Sequence, residues 1–482
     1  MNLDEYCGLD GVALGELIKN KEILPTELAQ LAKTAAKNVE DHLNASVEIF
    51  ETPISRPSQS SGPLAGVPMF LKDILATIDG VKQECGSRLL KDTVSGTTSH
   101  FSRRILDAGL QVIGRSSCPE FGLTLTTEST AEGITRNPWN LNKIAGGSSG
   151  GSAALVAAGV VPVAHTNDGG GSTRVPASAC GNLGLKTSRG LVSLGPRLND
   201  VLAPLVSEGC NSRTVRDTAA FLDIVSGPES GDAVISVKSE RKFLSQHNIS
   251  PKTLRIAVCG QSLLGNIPLE GFIHSELERV AQVLTDLGHE VELYTPTFFS
   301  DGQHVVNAFK TLWLSLAGAS IGSAAINSGR TPSVETLEPV TLKMYEAGLK
   351  VSAIEKDLAL SISNGLAHEV AEFFNAYDLL LTPTFISETP DVKSNITLTS
   401  DLSLDDWFYN ATSHVPHPSL ANLTGIPAIS IPCAVAPDGM PLGMQFFAPL
   451  GHDLLLLQIA HQIEQAIPWI GRRPSIYASS LN

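Results

Sequence analysis

Charged side chains are scarce in this chain. Asp, Glu, Lys and Arg together make up 17% of 482 residues, where an average soluble domain carries about 25%. Set beside an apolar content of 42%, that scarcity excludes a disordered or coiled-coil protein and calls for a large interior. Positive charge is scarcer than negative: 34 Lys and Arg stand against 49 Asp and Glu, for a net charge of −15. No basic block exceeds the pairs Arg103-Arg104 and Arg472-Arg473, so nothing could neutralise a phosphate backbone and nucleic acid is excluded as a direct partner. The 7 cysteines are scattered, odd in number and without a Cys-x-x-Cys pair, which excludes a disulfide framework or zinc knuckle and leaves each as a small buried apolar residue. The 12 histidines include no His-x-x-x-His pair beside an acid, and proline breaks His414-Val-Pro-His417; neither a metal nor a cofactor is expected. No stretch approaches ~20 uninterrupted apolar residues, so no membrane partner is expected. The opening Met1-Asn-Leu-Asp-Glu-Tyr6 is acidic where a signal peptide is basic. The expectation is a soluble, cytoplasmic protein, compatible with a monomer or a homodimer.

Glycine and proline are plentiful, 42 and 28 residues without a three-residue period, as tight turns between short elements require. Over residues 11–43, Leu14, Leu17, Ile18 and then Leu28, Leu31, Ala32 and Ala35 recur by threes and fours. Pro25 interrupts them, predicting two amphipathic helices. Glu51 to Pro63 has no period and reads as a surface connection leading into the apolar run Gly66 to Leu75. Leu254 to Cys259 reads as a strand, Pro268 to Leu287 as a helix closed by Gly288, and Glu290 to Tyr294 as a second strand, together a βαβ unit. Helical stretches near 303–326 and 351–375 precede a buried strand at Asp378 to Pro383. The pattern is α/β throughout, without internal repeats, and Ser226 to Thr253 is polar enough for a long surface excursion.

Two glycine-serine blocks carry the chemistry. The first, Ala145-Gly-Gly-Ser148-Ser-Gly-Gly, runs into an alanine-rich helix, whose start offers free N–H groups beside a hydroxyl. The second, Asn167-Asp-Gly-Gly-Gly-Ser172-Thr-Arg174, follows 24 positions after Ser148. Its three glycines let the backbone aim consecutive N–H donors at a bound group, the sequence form of an oxyanion hole beside a nucleophile. Flexible linkers do not sit between apolar runs such as Ala153 to Ala164, and no phosphate-loop or dinucleotide fingerprint occurs. Gly146-Gly-Ser148-Ser-Gly150 also fits a Gly-x-Ser-x-Gly nucleophile elbow with His414 or His417 as base, although Asn137 to Asn142 makes a poor preceding strand.

With an upstream lysine in Gly66-Val-Pro-Met-Phe-Leu-Lys72-Asp, these blocks resemble the amidase signature family. The resemblance extends through Thr135 to Trp139, Cys180 to Lys186, Asn422 to Pro432 and Asp438 to Gln445. It implies a large central mixed β-sheet covered by helices on both faces, and one domain over 1–482: N-terminal helices in 1–60, the catalytic core in 61–230, the rest of the sheet and the pocket helices in 231–482. Residue by residue, it places the base on Lys72, a bridging serine in a cis peptide on Ser148, the nucleophile on Ser172 and oxyanion donors on the backbone of Gly169, Gly170, Gly171 and Ser172. One departure stands out: the commoner Gly-Thr-Asp-Thr-Gly-Gly-Ser-Ile-Arg is here Thr166-Asn-Asp-Gly-Gly-Gly-Ser-Thr-Arg. That variant, His165, and Ile467 to Pro474 resemble the 6-aminohexanoate cyclic dimer hydrolase branch.

The implied activity is hydrolysis of small organic amides, anilides, cyclic amides or carbamates through a Ser172 acyl-enzyme. A glutamine amidotransferase subunit shares the same triad, but Lys186-Thr-Ser-Arg-Gly-Leu-Val-Ser lacks that subunit's Tyr-Gly-Arg-Val-Ser form. A lysine base working near neutrality needs its pKa lowered from about 10.4 by burial, and Met69, Phe70, Leu71, Ile74 and Leu75 surround Lys72 in sequence. Asp73 should point away, and Asp168 with Arg174 reads as a buried pair fixing the turn. Selectivity is expected in 300–350 and 390–420, with Trp313, Trp407, Phe408 and Tyr409 as candidate pocket residues.

Overall fold

Alternating side chains organise the molecule around a sheet of eleven strands. The computed structural model describes residues 1–56, 62–198, 205–235, 242–262, 267–296, 298 and 302–481. In chain order the strands are β1 Ser46–Ile54, β2 Pro68–Lys72, β3 Gln111–Ser116, β4 Val163–Asp168, β5 Leu183–Lys186, β6 Ser207–Ser212, β7 Arg255–Val258, β8 Glu290–Leu293, β9 Leu379–Pro383, β10 Ala428–Val435 and β11 Pro441–Phe447. In space they run β1-β3-β2-β4-β6-β5-β10-β11-β9-β7-β8. Parallel pairs (β2 with β3 and β4, β7 with β8 and β9) mix with antiparallel ones.

Successive residues of a strand point to opposite faces, and here they enter two different cores. Ile256 and Val258 join one, Ala257 and Cys259 the other; Leu379 and Leu381 oppose Leu380 in the same way. Helices Pro25–Leu43, Val215–Val225, Gly271–Asp286 and Asp453–Ala466 contribute to the first core, and Gly302–Ser328, Pro339–Gly348, Ala353–Phe373 and Leu404–His414 to the second. The sheet is therefore mixed and covered on both faces.

The expected βαβ unit is β7, Gly271–Asp286 and β8, with Glu290 opposite Arg255 and Leu293 opposite Val258. The N-terminal helices fall at Gly11–Lys19 and Pro25–Leu43, with Pro25 at the first helical position. A third, Leu3–Gly8, precedes them; six residues are too few to show a period, and a capping box between Asn2 and Glu5 fixes it instead. The surface connection expected from Glu51 is corrected at its start. Glu51 to Ile54 extends β1, an edge strand whose register shifts against β3 erase the alternation by which a strand is recognised. Residues 57–61 of that stretch lie outside the described residues. Within Ser226 to Thr253, Phe243 and His247 are buried, and 236–241 are outside the description. Gly302–Ser328 is long and apolar enough by composition to cross a membrane, yet Leu312, Ala317 and Ile321 are buried in the second core, to which Pro339–Gly348 and Ala353–Phe373 also contribute.

Parallel β2 and β4 are neighbours, with Met69 opposite Val163 and Phe70 opposite Ala164, so their carboxyl ends, Lys72 and Asp168, emerge at the same edge of the sheet. The helix Gly150–Ala157 leads into β4 and is drawn close to the end of β3 by Gly151. A Cβ there would lie 2.5 Å from the Ser117 nitrogen and 2.6 Å from the Ala45 and Ser117 carbonyl oxygens. Three backbone atoms cannot yield as a flexible side chain would. Gly151→Ala should therefore lower stability by about 1–3 kcal/mol, read as a lower urea midpoint with the slope unchanged.

Candidate active site

Lys72 ends β2 and is 1% exposed. Its Nζ lies 2.8 Å from Ser148 Oγ and 2.8 Å from Asn167 Oδ1. Burial in apolar surroundings pushes the amine down from 10.5 to about 8, while the Glu208 and Asp168 carboxylates pull the other way. A fall of that size corresponds to roughly 3 kcal/mol of lost preference for the ammonium. The strand itself is held behind the amine: the Lys72 N–H donates to His165 Nδ1 at 3.1 Å, which leaves Nε2 to donate to Glu208 Oε2 at 2.6 Å. Asp73 turns away and accepts from Arg115 at 2.6 Å.

Ser148 follows a cis Gly147–Ser148 peptide in the irregular segment before Gly150–Ala157. No strand leads directly into it, the nearest before it being the short Gly133–Ile134, and β4 comes after it. His414 bonds Ser387, and His417 sits between the Pro383 and Gln261 carbonyls; neither lines the cavity that Ser148 and Ser172 share. The elbow reading is thus corrected: the partner of Ser148 is a lysine amine.

Beyond β4 the chain turns sharply through Gly169 to Ser172. Arg174 grips Asp168 with two hydrogen bonds, Nε to Oδ2 and Nη2 to Oδ1, each 2.9 Å. The Asp168 oxygens also accept from the N–H groups of Gly171 at 2.7 Å and Thr173 at 3.1 Å. Burial pushes the Asp168 carboxyl up, but Arg174 and the Asn422 amide outweigh it and hold it well below the usual carboxylate range. Arg174 further donates to Gln445, Asn422 and the Pro418 carbonyl. Gly171 has φ of 128° with Pro418 Cβ 2.9 Å from where a side chain would begin, so only glycine fits. With its amide committed to Asp168, Gly171 drops out of the expected oxyanion donors. The amides of Gly169, Gly170 and Ser172 have no hydrogen-bond partner among the described residues.

Ser148, Asn167, Gly169 and Ser172 all line one cavity of about 520 Å³. Trp313 from Gly302–Ser328 forms part of its wall, as expected; Trp407, Phe408 and Tyr409 do not. Trp407 and Phe408 pack into the second core, Trp407 Nε1 donating to the Thr397 carbonyl, and Tyr409 faces solvent. Two loops that sequence reasoning missed supply the opposite wall, Thr93 to Ser99 and Leu194 to Leu198. Asn167 was also missed as a ligand of the lysine amine. Its signal was the departure already noted, an amide where the commoner block has threonine, one bond longer and able to reach Nζ. All seven cysteines are buried and free.

This geometry can be set against known proteins. The amidase family profile matches residues 28–457. The chain belongs to the amidase family. It is 33% identical over 477 residues to the 6-aminohexanoate-cyclic-dimer hydrolase of Paenarthrobacter ureafaciens, covering 97% of this chain and 96% of that protein. A solved structure of a 6-aminohexanoate cyclic dimer hydrolase superposes with a TM-score of 0.91 at 32% identity, covering 98% of this chain and 99% of that one. A bacterial aryl acylamidase of the amidase signature family superposes at 0.81 with 25% identity, over 96% and 99%. The protein is an amidohydrolase that cleaves amide C–N bonds.

If the neutral Lys72 amine is the working base, activity must rise as the ammonium loses its proton. For a neutral amide substrate, kcat/KM should climb about tenfold per pH unit below about 8 and level off above it. A pH–rate profile flat from 6 to 9 would contradict this role for Lys72.

Proposed function

We propose that this amidase takes small organic amides, linear or cyclic, with Ser172 as nucleophile and Lys72 as base acting through Ser148. The observation that carries the reading is the buried Lys72 amine, 2.8 Å from a serine hydroxyl that shares its cavity with a second serine. In its neutral form Lys72 keeps an N–H directed at Asn167 and offers its lone pair to the Ser148 proton. Ser148 in turn takes the proton of Ser172 as Ser172 Oγ attacks the carbonyl carbon. The oxygen that gains charge lies against the amides of Gly169, Gly170 and Ser172, which have no partner among the described residues and so are free to donate to it. When the C–N bond breaks, the proton held on Lys72 returns through Ser148 to the departing nitrogen, which is a poor leaving group unless protonated. Water then repeats the sequence on the acyl-enzyme and releases the acid.

Apolar walls formed by Ile74, Phe121, Leu123, Trp313 and Leu316 suit aliphatic or aromatic groups on either side of the amide. The two solved relatives, a cyclic dimer hydrolase and an aryl acylamidase, fall within that range.

Treatment with a fluorophosphonate should add one adduct to the wild-type protein, mapped to Ser172, and none to Ser172→Ala. Toward an anilide or a cyclic dimer, Ser172→Ala should lose about 10⁴-fold or more in kcat. An adduct on Ser148, or none on the wild type, would sink the assignment.

A further inference from the structure

The cavity is longer than a small amide requires and carries one distinctive charge. Trp313 and Asn327 both line it; at 1.5 Å per helical residue they mark a groove running roughly 20 Å along Gly302–Ser328. Apolar walls from Ile74, Phe121, Leu123, Trp313 and Leu316 stand beside the Ser148, Asn167 and Ser172 side chains. Hydroxyl and amide groups of Thr93, Ser95, Thr97, Ser320, Ser323 and Asn327 also line the groove. Among the described residues no carboxylate lines it, and Arg197 is the single side chain there with a permanent charge.

Arg197 is exposed where the groove meets solvent and has no hydrogen bond or ion pair with any described residue. The loop bearing it is anchored. The His100 N–H donates to the Gly195 carbonyl at 3.0 Å, and Ser193 Oγ accepts from the Gly195 N–H at 3.1 Å. Among the described residues the acids tied to this part of the chain are engaged: Asp232 accepts from Ser193, and Glu229 pairs with Arg103 and Arg104. A guanidinium without a partner among the described residues, on a groove otherwise uncharged among them and on a protein of net charge −15, is a local exception to a field that repels anions.

We infer that Arg197 is a specificity-determining residue that receives a carboxylate at the far end of the substrate. The preferred amides would then carry an extended chain ending in an acid group. This inference rests on the amide-hydrolase reading above. A planar guanidinium offers a carboxylate two parallel N–H donors. A neutral amide of the same length gains nothing from it, and a substrate ending in an ammonium is repelled.

The test uses adipic acid monoanilide and its neutral primary-carboxamide analogue. Binding of each to Ser172→Ala is measured by calorimetry, with and without Arg197→Gln, alongside kcat/KM in proteins that keep Ser172. The acid should bind about tenfold or more tightly than the carboxamide when Arg197 is present. Arg197→Gln should abolish that preference, both in binding and in kcat/KM, and added salt should weaken it in the wild type. Equal binding of the two compounds, a preference that survives Arg197→Gln, or no binding of either would overturn the role of Arg197. Arg197-dependent binding without cleavage by wild type would keep that role and overturn the hydrolytic reading for anilides instead.

Discussion

Taking the Lys72 amine out of water is the constraint on which the rest of this structure depends. An ammonium in bulk water has no use for a serine hydroxyl; a dehydrated amine with two polar neighbours can exchange a proton with one of them. The fold delivers dehydration by placing Lys72 at the last position of a strand that is buried along its whole length. It delivers the two neighbours from elements on either side, Ser148 from the segment before Gly150–Ala157 and Asn167 from β4. Backbone geometry completes the arrangement, because the His165 ring, held by Glu208, accepts the Lys72 N–H and so fixes the strand end from which the side chain departs.

The serine side of the site depends on a different device. Ser172 sits in a turn that an isolated chain would not adopt, and the Asp168–Arg174 pair closes it. Burying such a pair is costly in itself, and it persists only when every remaining donor and acceptor is used. Here Asn422, Gln445 and the Pro418 carbonyl use them. Chain segments separated by about 250 positions thereby meet at one guanidinium, which makes the turn a property of the whole sheet rather than of its local sequence.

Much of this was legible in the residues. Helices with a clear period, the βαβ unit and the strand at 379–383 appear where their patterns place them. The two glycine-serine blocks do face one cavity, and Lys72 reaches it through Ser148. The reading of the glycines was incomplete: those near Ser148 permit close packing as well as exposing amides, as Gly151 shows. Other features were hidden for physical reasons. An edge strand with register shifts loses its period. A six-residue helix held by its cap never had one. The density of aromatics around 407–409 says nothing about which way they face, and Trp407 and Phe408 fill a core. The loops at 93–99 and 194–198 become cavity walls only through long-range packing, which no local pattern announces.

The electrostatics of Lys72 join these strands of argument. An uncompensated carboxylate about 6 Å from an amine stabilises its charged form by roughly 3 kcal/mol at an effective dielectric of 20, comparable to the net fall at Lys72. Two aspartates lie close along the chain to the catalytic ends of β2 and β4, Asp73 and Asp168, and either could hold Lys72 protonated. Each is answered by an arginine: Arg115 grips Asp73, and Arg174 grips Asp168. Glu208, bonded to the His165 ring, and Asp168 both still favour the ammonium, which is one reason the amine settles near 8 and not lower. The arginines that hold these two turns therefore also temper the field of the acids beside the Lys72 amine.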